Sequence, residues 1–395
     1  MEFMLTCALY LLAGGLVLAV AHLWLLAIVG LLPRKGRTSL CGSAPLFLII
    51  VPAHNEEQCL PATLRSLRSL DYPPERYRIW VVADNCTDET AAVARKWGAH
   101  CIERNDPTRR GKGYALKTAF DRAVATDSDA VVVIDADTVV SPRLLQEFSR
   151  RMTPGLAALQ TSCRLAAQGG PWSIWLAIEN TLEDRLFYRA KERLGCPTSL
   201  RGTGMCFSLD LLRLVPFRCF SVTEDVKYTV QLLKAGIRPR FVPDTAVVSA
   251  CPTTLSQIAQ QRQRWSAGHF RTALREAPGL FVRGLVRRDL RLCEFAFSML
   301  ITSKTVLAGL SAIGLVVSLA AHQALGFGMG PAWLFAVALA AICAYFLVGL
   351  VLYRPAPADL IRLAGLPLLV VWRFAIHLMA AFSHRRAVWV RTSRS

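Results

Sequence analysis

The chain has 395 residues, 53% of them hydrophobic and 19% charged, and its mean hydropathy of +0.36 excludes an ordinary soluble protein and favours an integral membrane protein. Lys and Arg outnumber Asp and Glu by 46 to 28, and the net charge of +18 suits anionic lipid, nucleic acid or a phosphorylated substrate. The 12 cysteines form no Cys-x-x-Cys pair, which argues against a structural zinc site and favours reduced thiols.

The first segment is a long apolar run. Met4 to Leu32 contains no Asp, Glu, Lys or Arg, and it exceeds the roughly 20 residues that a transmembrane helix requires. We therefore expect residues 1–33 to form an N-terminal transmembrane anchor. Arg34, Lys35 and Arg37 follow this run directly, and the positive-inside rule predicts that the region after them is cytosolic.

Residues 44–275 are long enough for one large cytosolic α/β domain. Short β-rich runs alternate here with helical patterns. The predicted strands are Leu46–Val51, Arg78–Asp84, His100–Arg104 and Ala130–Asp137, and the predicted helices cover 57–70, 88–98 and 112–126. This alternation predicts a mostly parallel sheet with flanking helices, in which ligands bind beyond the carboxyl ends of the strands.

Three polar clusters follow predicted strands. The first contains Pro52, His54, Asn55 and Glu56, the second begins at Asp84, and the third is Asp135-Ala136-Asp137. Such residues also make turns and helix caps, so each cluster alone has a purely structural interpretation. Three clusters at the same expected edge of the sheet favour a binding site.

Asp135 and Asp137 form the cluster with the most specific chemistry. Two carboxylates at a strand end can hold Mg²⁺ or Mn²⁺, which often share such ligands with substrate phosphates. The preceding loop, Arg109-Arg110-Gly111-Lys112-Gly113, could bring Lys112 and backbone amides to a phosphate. This loop lacks the Walker spacing, and Phe207 occupies the third glycine position of a dinucleotide fingerprint, so kinase and dehydrogenase functions are disfavoured.

Two later clusters have both a structural and a catalytic interpretation. In Thr223-Glu224-Asp225, the threonine can cap a helix that the two acids stabilise, or one carboxylate can act as a general base. In Gln261-x-x-Arg264-Trp265, on a predicted helix, the arginine could bind a diphosphate and the tryptophan could stack on a sugar. The same two side chains could instead anchor the helix at a membrane surface.

The C-terminal part divides into three segments. Residues 276–294 combine apolar and basic side chains at helical spacing, which predicts an interfacial amphipathic helix on anionic lipid and disfavours nucleic acid as a partner. Residues 295–353 contain two apolar runs, Phe295–Ala321 and Pro331–Tyr353, and predict a two-helix transmembrane hairpin. Residues 354–395 hold a fourth apolar segment, 363–382, and a basic tail. Arg373 and His377 interrupt this segment, so an interfacial or re-entrant helix is preferred to a fourth span.

The ordered set of clusters resembles that of membrane-bound family 2 glycosyltransferases, the group that includes cellulose, hyaluronan, chitin and poly-N-acetylglucosamine synthases. The resemblance implies a GT-A fold, Mg²⁺ or Mn²⁺ at Asp135 and Asp137, and Asp225 as the general base of an inverting transfer. It also implies a nucleotide-sugar donor, which we expect to be uridine-linked. The donor-binding residues implied by the likeness are Pro52, His54, Asn55, Glu56, Asp84, Lys112, Asp135, Gln261, Arg264 and Trp265.

The acceptor is the part of the resemblance that stays open. The likeness implies that Thr203, Gly204, Glu224 and Trp265 lie in the acceptor region, but Arg201–Phe207 differs from the Phe-Cys-Gly-Ser form common in the synthases. Three or four membrane segments provide little wall for a polysaccharide channel. Extension of a saccharide or envelope glycan, processive or not, would then need a homo-oligomer or an export partner. Transfer of a single sugar to a membrane lipid would need only access to the membrane.

Two functions of other classes remain open alternatives. One is an inactive membrane scaffold, which the intact Asp135, Asp137 and Asp225 disfavour. The other is a nucleotidyltransferase, which does not explain the Gln261-x-x-Arg264-Trp265 cluster. The expected location is the cell (inner) membrane, as a multi-pass protein with a cytosolic catalytic domain.

Overall fold

A computed structural model describes residues 2–33, 44–152, 155–166, 171–249, 255–301, 303–357 and 363–382. Its contacts divide the chain into two units. Among the described residues, the sheet unit comprises those within Pro33–Ala166 and Lys191–Ala296, and the helical unit comprises those within Met1–Leu32, Ala167–Ala190 and Phe297–Ser383. Arg34, Lys35, Arg37 and the basic tail lie outside the described residues, so the orientation that they indicate stays a prediction.

The sheet unit is built on a mixed sheet. In chain order its strands are β1 (Phe47–Ala53), β2 (Tyr77–Asp84), β3 (His100–Arg104), β4 (Ala130–Val133), β5 (Thr138–Val140), β6 (Ala158–Leu165), β7 (Met205–Ser208) and β8 (Arg240–Ser249). They lie in the order β3-β2-β1-β4-β7-β6-β8-β5. The first four in this order are parallel, as are β6 and β8, whereas β7 is antiparallel to both neighbours and β5 to β8. The predicted mostly parallel sheet with flanking helices is confirmed.

The helices follow the predicted alternation in the first half of the sheet unit. In chain order the α-helices are α1 (Glu2–Leu31), α2 (Leu60–Arg68), α3 (Thr90–Lys96), α4 (Lys112–Ala123), α5 (Leu144–Ser149), α6 (Pro171–Thr181), α7 (Arg189–Leu194), α8 (Leu209–Leu214), α9 (Glu224–Lys234), α10 (Leu255–Val286), α11 (Leu290–Leu300), α12 (Lys304–Leu325), α13 (Gly330–Tyr353) and α14 (Leu366–Phe382). Short 3₁₀ turns occupy Pro74–Arg76 and Leu363–Gly365, and a π-helical segment, Leu182–Tyr188, lies between α6 and α7. Helices α2, α3 and α4 fall within the three predicted helical ranges.

Two apolar cores lie on the two faces of the sheet. All seven residues of β1 are buried. Leu48 and Ile50 join the core that includes side chains of α4 and α9, whereas Phe47, Ile49 and Val51 join the core that includes α2 and α5. Successive side chains of a strand point to opposite faces, so a strand covered on both sides is apolar throughout. The covered sheet holds the carboxyl ends of β1, β2 and β4 at one edge.

Strand β4 is shorter than the sequence predicts. Its pairing with β1 ends at Val133 opposite Ile50, and the predicted extension to Asp137 is wrong. The chain turns instead, with the Thr138 amide donating to the Asp135 carbonyl at 3.1 Å, before β5 pairs with β8 at the far side of the sheet. The two carboxylates of the predicted metal pair therefore lie in a turn.

The helical unit contains the membrane-spanning candidates. Within the part of the chain that the structure describes, α1, α12 and α13 are long and apolar enough to cross a membrane. The unit also includes Ala167–Ala190, which the sequence assigns to the α/β domain. Ile174, Ile178, Leu182 and Leu186 recur every four residues and are buried with side chains of α1 and α13. This apolar stripe explains why the segment belongs to the helical unit.

Two predicted helices of the C-terminal half are interrupted. The predicted first span of the hairpin, Phe295–Ala321, breaks after Leu300, and the spanning helix α12 begins at Lys304. The predicted helix over 276–294 ends at Val286 and resumes at Leu290. The fourth apolar segment forms α14, of 17 residues, in which Arg373 makes a two-pronged ion pair with Glu179 of α6 at 2.9 Å. Its path through or along the membrane stays a prediction.

Candidate active site

Hydrogen bonds join the loops that follow β1 and β2. Asn55 has φ of 55°, in the left-handed region that asparagine tolerates better than most residues. Its Nδ2 donates to Thr87 Oγ1 at 3.1 Å, and the Thr87 amide donates to Asn55 Oδ1 at 2.7 Å. The Glu56 amide donates to Thr90 Oγ1 at 2.8 Å. These contacts give Asn55 and Glu56, both predicted to bind the donor, a role in holding the two loops together.

Asp84, the last residue of β2, is buried beside a cationic partner. Arg104 ends β3 directly opposite it in the sheet and donates to Asp84 Oδ1 at 2.6 Å. The same oxygen accepts from Asn85 Nδ2 at 3.0 Å, while His54 Nδ1 donates to the Asp84 carbonyl at 2.6 Å. The sequence analysis missed Arg104, because its contact with Asp84 depends on the register of β2 with β3. We call Asn55, Asp84, Asn85, Thr87 and Arg104 the loop half of the candidate site.

Pro52 lies in β1 near this edge of the sheet. The pairing of β1 with β4 ends at Ile50, so Pro52 stands beyond the last residue that β4 contacts. A proline there removes no hydrogen bond to β4, which explains how a central strand accommodates it. The structure places Pro52 at the base of the loop half.

Lys112, Asp135 and Asp225 converge from three distant parts of the sequence. Lys112, the first residue of α4, forms an ion pair with Asp135, and its Nζ donates to the Gly202 carbonyl at 2.9 Å. Gly202 has φ of 81°, and a Cβ built on it would lie 3.2 Å from Lys112 Nζ and 3.5 Å from Asp225 Oδ2. Glycine thus suits both the backbone conformation and the narrow space between the two charged groups. Burial alone would lower the pKa of Lys112, but the surrounding carboxylates raise it above its usual value.

The loop that contains Thr203 and Gly204 is fixed to the same turn. The Asp135 amide donates to Thr203 Oγ1 at 3.0 Å, and Gly204 has φ of 65°. Gln160, a fully buried polar residue of β6, donates to the Thr203 carbonyl at 2.9 Å and accepts from the Arg201 amide at 2.8 Å. The sequence analysis missed Gln160, because its contacts depend on the pairing of β6 with β7. The predicted acceptor loop is therefore held by the sheet.

Helix α10 packs against the start of α9 through a glycine. A Cβ on Gly268 would lie 2.5 Å from Thr223 Cγ2, so only glycine permits this approach. Thr223 precedes α9, but the predicted side-chain cap is absent from this described helix. Its hydroxyl instead lies 3.5 Å from Thr272 Oγ1 on α10. The close contact brings the cluster on α10 to the predicted catalytic acids.

Glu224 and Arg264 form the far side of the site. Burial, and next the negative charge of Asp225, raise the pKa of Glu224 to about 8. Arg264 lies one turn before Gly268, and the Glu224 charge opposes the lowering of the Arg264 pKa that burial causes. Gln261 and Trp265 are half-buried on the same helix. We call Lys112, Asp135, Asp137, Glu224, Asp225 and Arg264 the carboxylate half of the candidate site.

Asp135 and Asp137, which follow β4, provide only two carboxylates for a metal ion. Across the described ranges, no group of three or more His, Cys, Asp or Glu side chains is placed to hold a metal ion. Two hard oxygen donors suit Mg²⁺ or Mn²⁺ when a ligand supplies further oxygens. Asp135 and Asp137 therefore fit a cation that binds together with a phosphorylated ligand.

The sheet unit matches a known protein family. The sequence profile described as "Glycosyltransferase like family 2" matches residues 44–268. The chain is 29% identical over 259 residues to a beta-monoglucosyldiacylglycerol synthase of Nostoc sp., a match that covers 63% of this chain and 54% of that protein. It is 26% identical over 244 residues to an N-acetylglucosaminyltransferase of Rhizobium leguminosarum, covering 59% and 57%. The chain thus spans about half the length of these curated relatives.

A solved structure aligns with nearly the full length of this chain. The mannosyltransferase PcManGT from Pyrobaculum calidifontis, solved in complex with GDP-Man and Mn²⁺, aligns with a TM-score of 0.61 and 20% sequence identity. The alignment covers 98% of this chain and 100% of that one. At this level of identity the likeness concerns the fold, which agrees with the predicted GT-A type.

Proposed function

Because this chain belongs to the glycosyltransferase-like family 2, whose profile matches more than half of it, we propose that it is an inverting glycosyltransferase with Asp225 as its general base. The observation that carries the proposal is the convergence of Lys112, Asp135 and Asp225 around Gly202. Such a cluster combines a cation for a leaving phosphate with a carboxylate for an attacking hydroxyl. Neither role is explained by the packing of the sheet.

The donor is a nucleotide sugar, and each half of the site binds a different part of it. The loop half receives the nucleoside, with Asp84 beside the base, and the carboxylate half receives the diphosphate and sugar. Lys112 and Arg264 would lie along the diphosphate, and Asp135 and Asp137 would hold Mg²⁺ or Mn²⁺. When bound, the cation supplies positive charge to the diphosphate. A uridine nucleotide is the expected donor; the solved relative crystallised with GDP-Man makes a guanosine nucleotide the alternative.

The reaction is one displacement at the anomeric carbon. Asp225 accepts the proton of the acceptor hydroxyl as its oxygen forms the new bond to the anomeric carbon. The bond from that carbon to the phosphate oxygen breaks, and the nucleoside diphosphate leaves with the electron pair. Lys112 and Arg264 stabilise the negative charge that develops on the departing phosphate. One carboxylate base suffices because no covalent glycosyl-enzyme forms, so the anomeric configuration inverts.

Two acceptors are consistent with the site. The sequence resemblance favours a saccharide or envelope glycan, and the loop Thr203–Gly204 with Glu224 and Trp265 would receive it. Transfer of a single sugar to a membrane lipid is favoured by the name of one relative, a beta-monoglucosyldiacylglycerol synthase, and by the three candidate spans. The proposed location is the cell (inner) membrane, with several spans and the sheet unit in the cytosol. A glycan product of some length would require a homo-oligomer or an export partner.

The experiment that tests this function measures release of nucleoside diphosphate by the purified protein in lipid. A panel of UDP- and GDP-sugars is supplied with Mn²⁺, with Mg²⁺ or with a chelator, and the labelled product is sized. We expect release of nucleoside diphosphate to require the cation. In Asp137→Ala we expect most of the activity to be lost and the remaining activity to be independent of the cation. The configuration of the new linkage, read by NMR, should be opposite to that of the donor.

Each outcome assigns a different function. A labelled lipid identifies a lipid glycosyltransferase, and a water-soluble glycan identifies a saccharide-extending enzyme. Nucleotide binding without transfer or hydrolysis across the panel would contradict the proposal and favour the inactive scaffold. Release of pyrophosphate in place of nucleoside diphosphate would favour a nucleotidyltransferase.

A further inference from the structure

A pocket rich in arginine lies at the opposite end of α9 from Asp225. Its volume is about 590 Å³, and its lining includes Arg238, Arg287, Arg288, Asp289 and Arg291. These residues come from the segment after α9 and from the corner between α10 and α11, so they are unrelated to the proposed donor site. The proposed function assigns no role to them.

The charges of this arginine pocket do not balance within the protein. Asp289 pairs with Arg238 at 2.6 Å. Arg287, Arg288 and Arg291 are exposed, and the described residues offer their guanidinium groups no ion pair or side-chain hydrogen bond. Three arginines without an ion-pair partner contribute to the lining of one concave surface, which attracts an anion, and guanidinium donors match phosphate oxygens in pairs.

The backbone at Arg288 is unfavourable for an arginine. Its φ is 52°, and the Asp289 amide donates to the Gly284 carbonyl at 2.8 Å while the Arg288 amide donates to the Leu285 carbonyl at 3.1 Å. This pair of bonds is the helix ending in which glycine is normally preferred, because other L-residues pay about 1 kcal/mol in the left-handed region. The corner would therefore form more easily with glycine. Helix geometry therefore does not account for the arginine at this position, whereas a ligand contact of its side chain would.

Apolar side chains flank the arginines on both sides of the corner. Val286 and Leu290 are each 79% exposed, and Val282 and Leu285, on the turn of α10 before the corner, are also exposed. Binding of a soluble anion would not explain why these apolar side chains are exposed, whereas binding of an amphiphile would. Along the chain, the 11-residue helix α11 and three further residues connect the corner to α12, one of the candidate spans.

We propose that the arginine pocket binds the phosphate headgroup of an anionic membrane lipid. Arg287, Arg288 and Arg291 contact the phosphate, and Val286 and Leu290 lie among the acyl chains. The site is specific, in contrast to the general attraction of a basic surface for anionic lipid, because three arginines line one cavity and the backbone of Arg288 is in the left-handed region. It is independent of the donor site and does not require the proposed sugar transfer.

The test measures lipid binding to the full-length protein purified in a neutral detergent. Phosphatidylglycerol, phosphatidylcholine and, as the soluble arm, glycerol 3-phosphate are titrated, and bound lipid is counted by native mass spectrometry. The informative variant is Arg288→Gly, because glycine suits this φ and should leave the melting temperature unchanged or higher while the guanidinium is lost. The double variant Arg287→Gln/Arg288→Gly enlarges the effect. Arg275→Gln is the matched control, since Arg275 is a highly exposed arginine of the same helix that lies outside the pocket.

We expect the protein to prefer phosphatidylglycerol to phosphatidylcholine. Its affinity should fall about fivefold in Arg288→Gly and about 25-fold in the double variant, and Arg275→Gln should leave it unchanged. Equal losses in the control and in Arg288→Gly would overturn the proposal in favour of a general charge effect. Unchanged binding in the double variant would overturn it, and glycerol 3-phosphate binding as tightly as the lipid would identify a soluble phosphate as the ligand. None of these outcomes depends on whether the protein transfers a sugar.

Discussion

The two halves of the candidate site differ in how far their charged and polar groups are paired within the protein. In the loop half, the buried Asp84 has a guanidinium partner and Asn55 has reciprocal hydrogen bonds, so the polar groups are satisfied within the protein. In the carboxylate half, the four acids outnumber the two cations Lys112 and Arg264, and the pKa of Glu224 rises to about 8. The loop half is thus built in advance, whereas under the proposed function we expect the carboxylate half to reach its final charge state only with the cation and the donor bound. Removal of a charge should therefore have opposite effects on stability in the two halves.

The largest expected loss of stability follows removal of the cation in the loop half. Arg104→Ala leaves the Asp84 carboxylate buried without its charged partner, and we expect a loss of about 3–5 kcal/mol in the free energy of unfolding. Denaturant unfolding of the purified protein measures this loss. Arg95→Ala is the matched control, because Arg95 pairs with Glu103 on the exposed surface of the same strand and should change stability little. Equal effects in the two variants would mean that the loop half is not preorganised by its buried pair.

In the carboxylate half, removal of a charge should raise the stability of the folded protein. The folded protein raises the pKa of Glu224 from an ordinary value of 4.5 to about 8, so Glu224 favours the folded state below pH 4.5, and this contribution is lost as the pH rises to 8. Glu224→Gln keeps the shape of the side chain without its charge. Without donor or cation, the variant should lie within about 1 kcal/mol of the parent protein at pH 5 and exceed its stability at pH 9 by roughly 4–5 kcal/mol.

Thermal unfolding at the two pH values provides this measurement. The difference should shrink when Mn²⁺ and a nucleoside diphosphate are added to the parent protein, because added positive charge favours the ionised acid. A variant that is less stable than its parent at pH 9 would show that the carboxylate half is already balanced. The contrast between the two halves would then fail.

The smallest expected effect concerns the backbone of the loop half. Asn55→Ala removes two hydrogen bonds and forces alanine into the left-handed region, whereas Asn55→Gly removes the same bonds and suits that region. We expect the alanine variant to be the less stable of the two by about 1 kcal/mol. Denaturant unfolding compares the two variants. Equal stabilities would show that φ of Asn55 is not fixed by the surrounding loops.

The strands and the order of the site residues could be predicted because they depend on local patterns. Strands β1 and β4 are continuous apolar runs, and β2 becomes apolar after Arg78. Polar residues such as Asp84 and Asp135 lie at or just after the strand ends. The partner of Asp84 depends on strand register, and the approach of Gly202 to Asp225 depends on pairing between distant segments. Neither is visible in one sequence. The end of α10 was missed for a different reason, since Arg288 stands where glycine would have marked a helix end.

The most direct test of the account separates donor binding from transfer in Asp225→Asn. The substitution removes the proposed base and keeps nearly the same volume next to Gly202, so the donor site should persist. With the donor found in the nucleotide-sugar panel, calorimetry in the presence of Mn²⁺ should give an affinity within about twofold of the parent protein. Transfer measured on the same preparation should fall by at least about 10²-fold. Transfer near the parent rate, or a loss of donor affinity as large as the loss of transfer, would contradict the assignment of Asp225 as the general base.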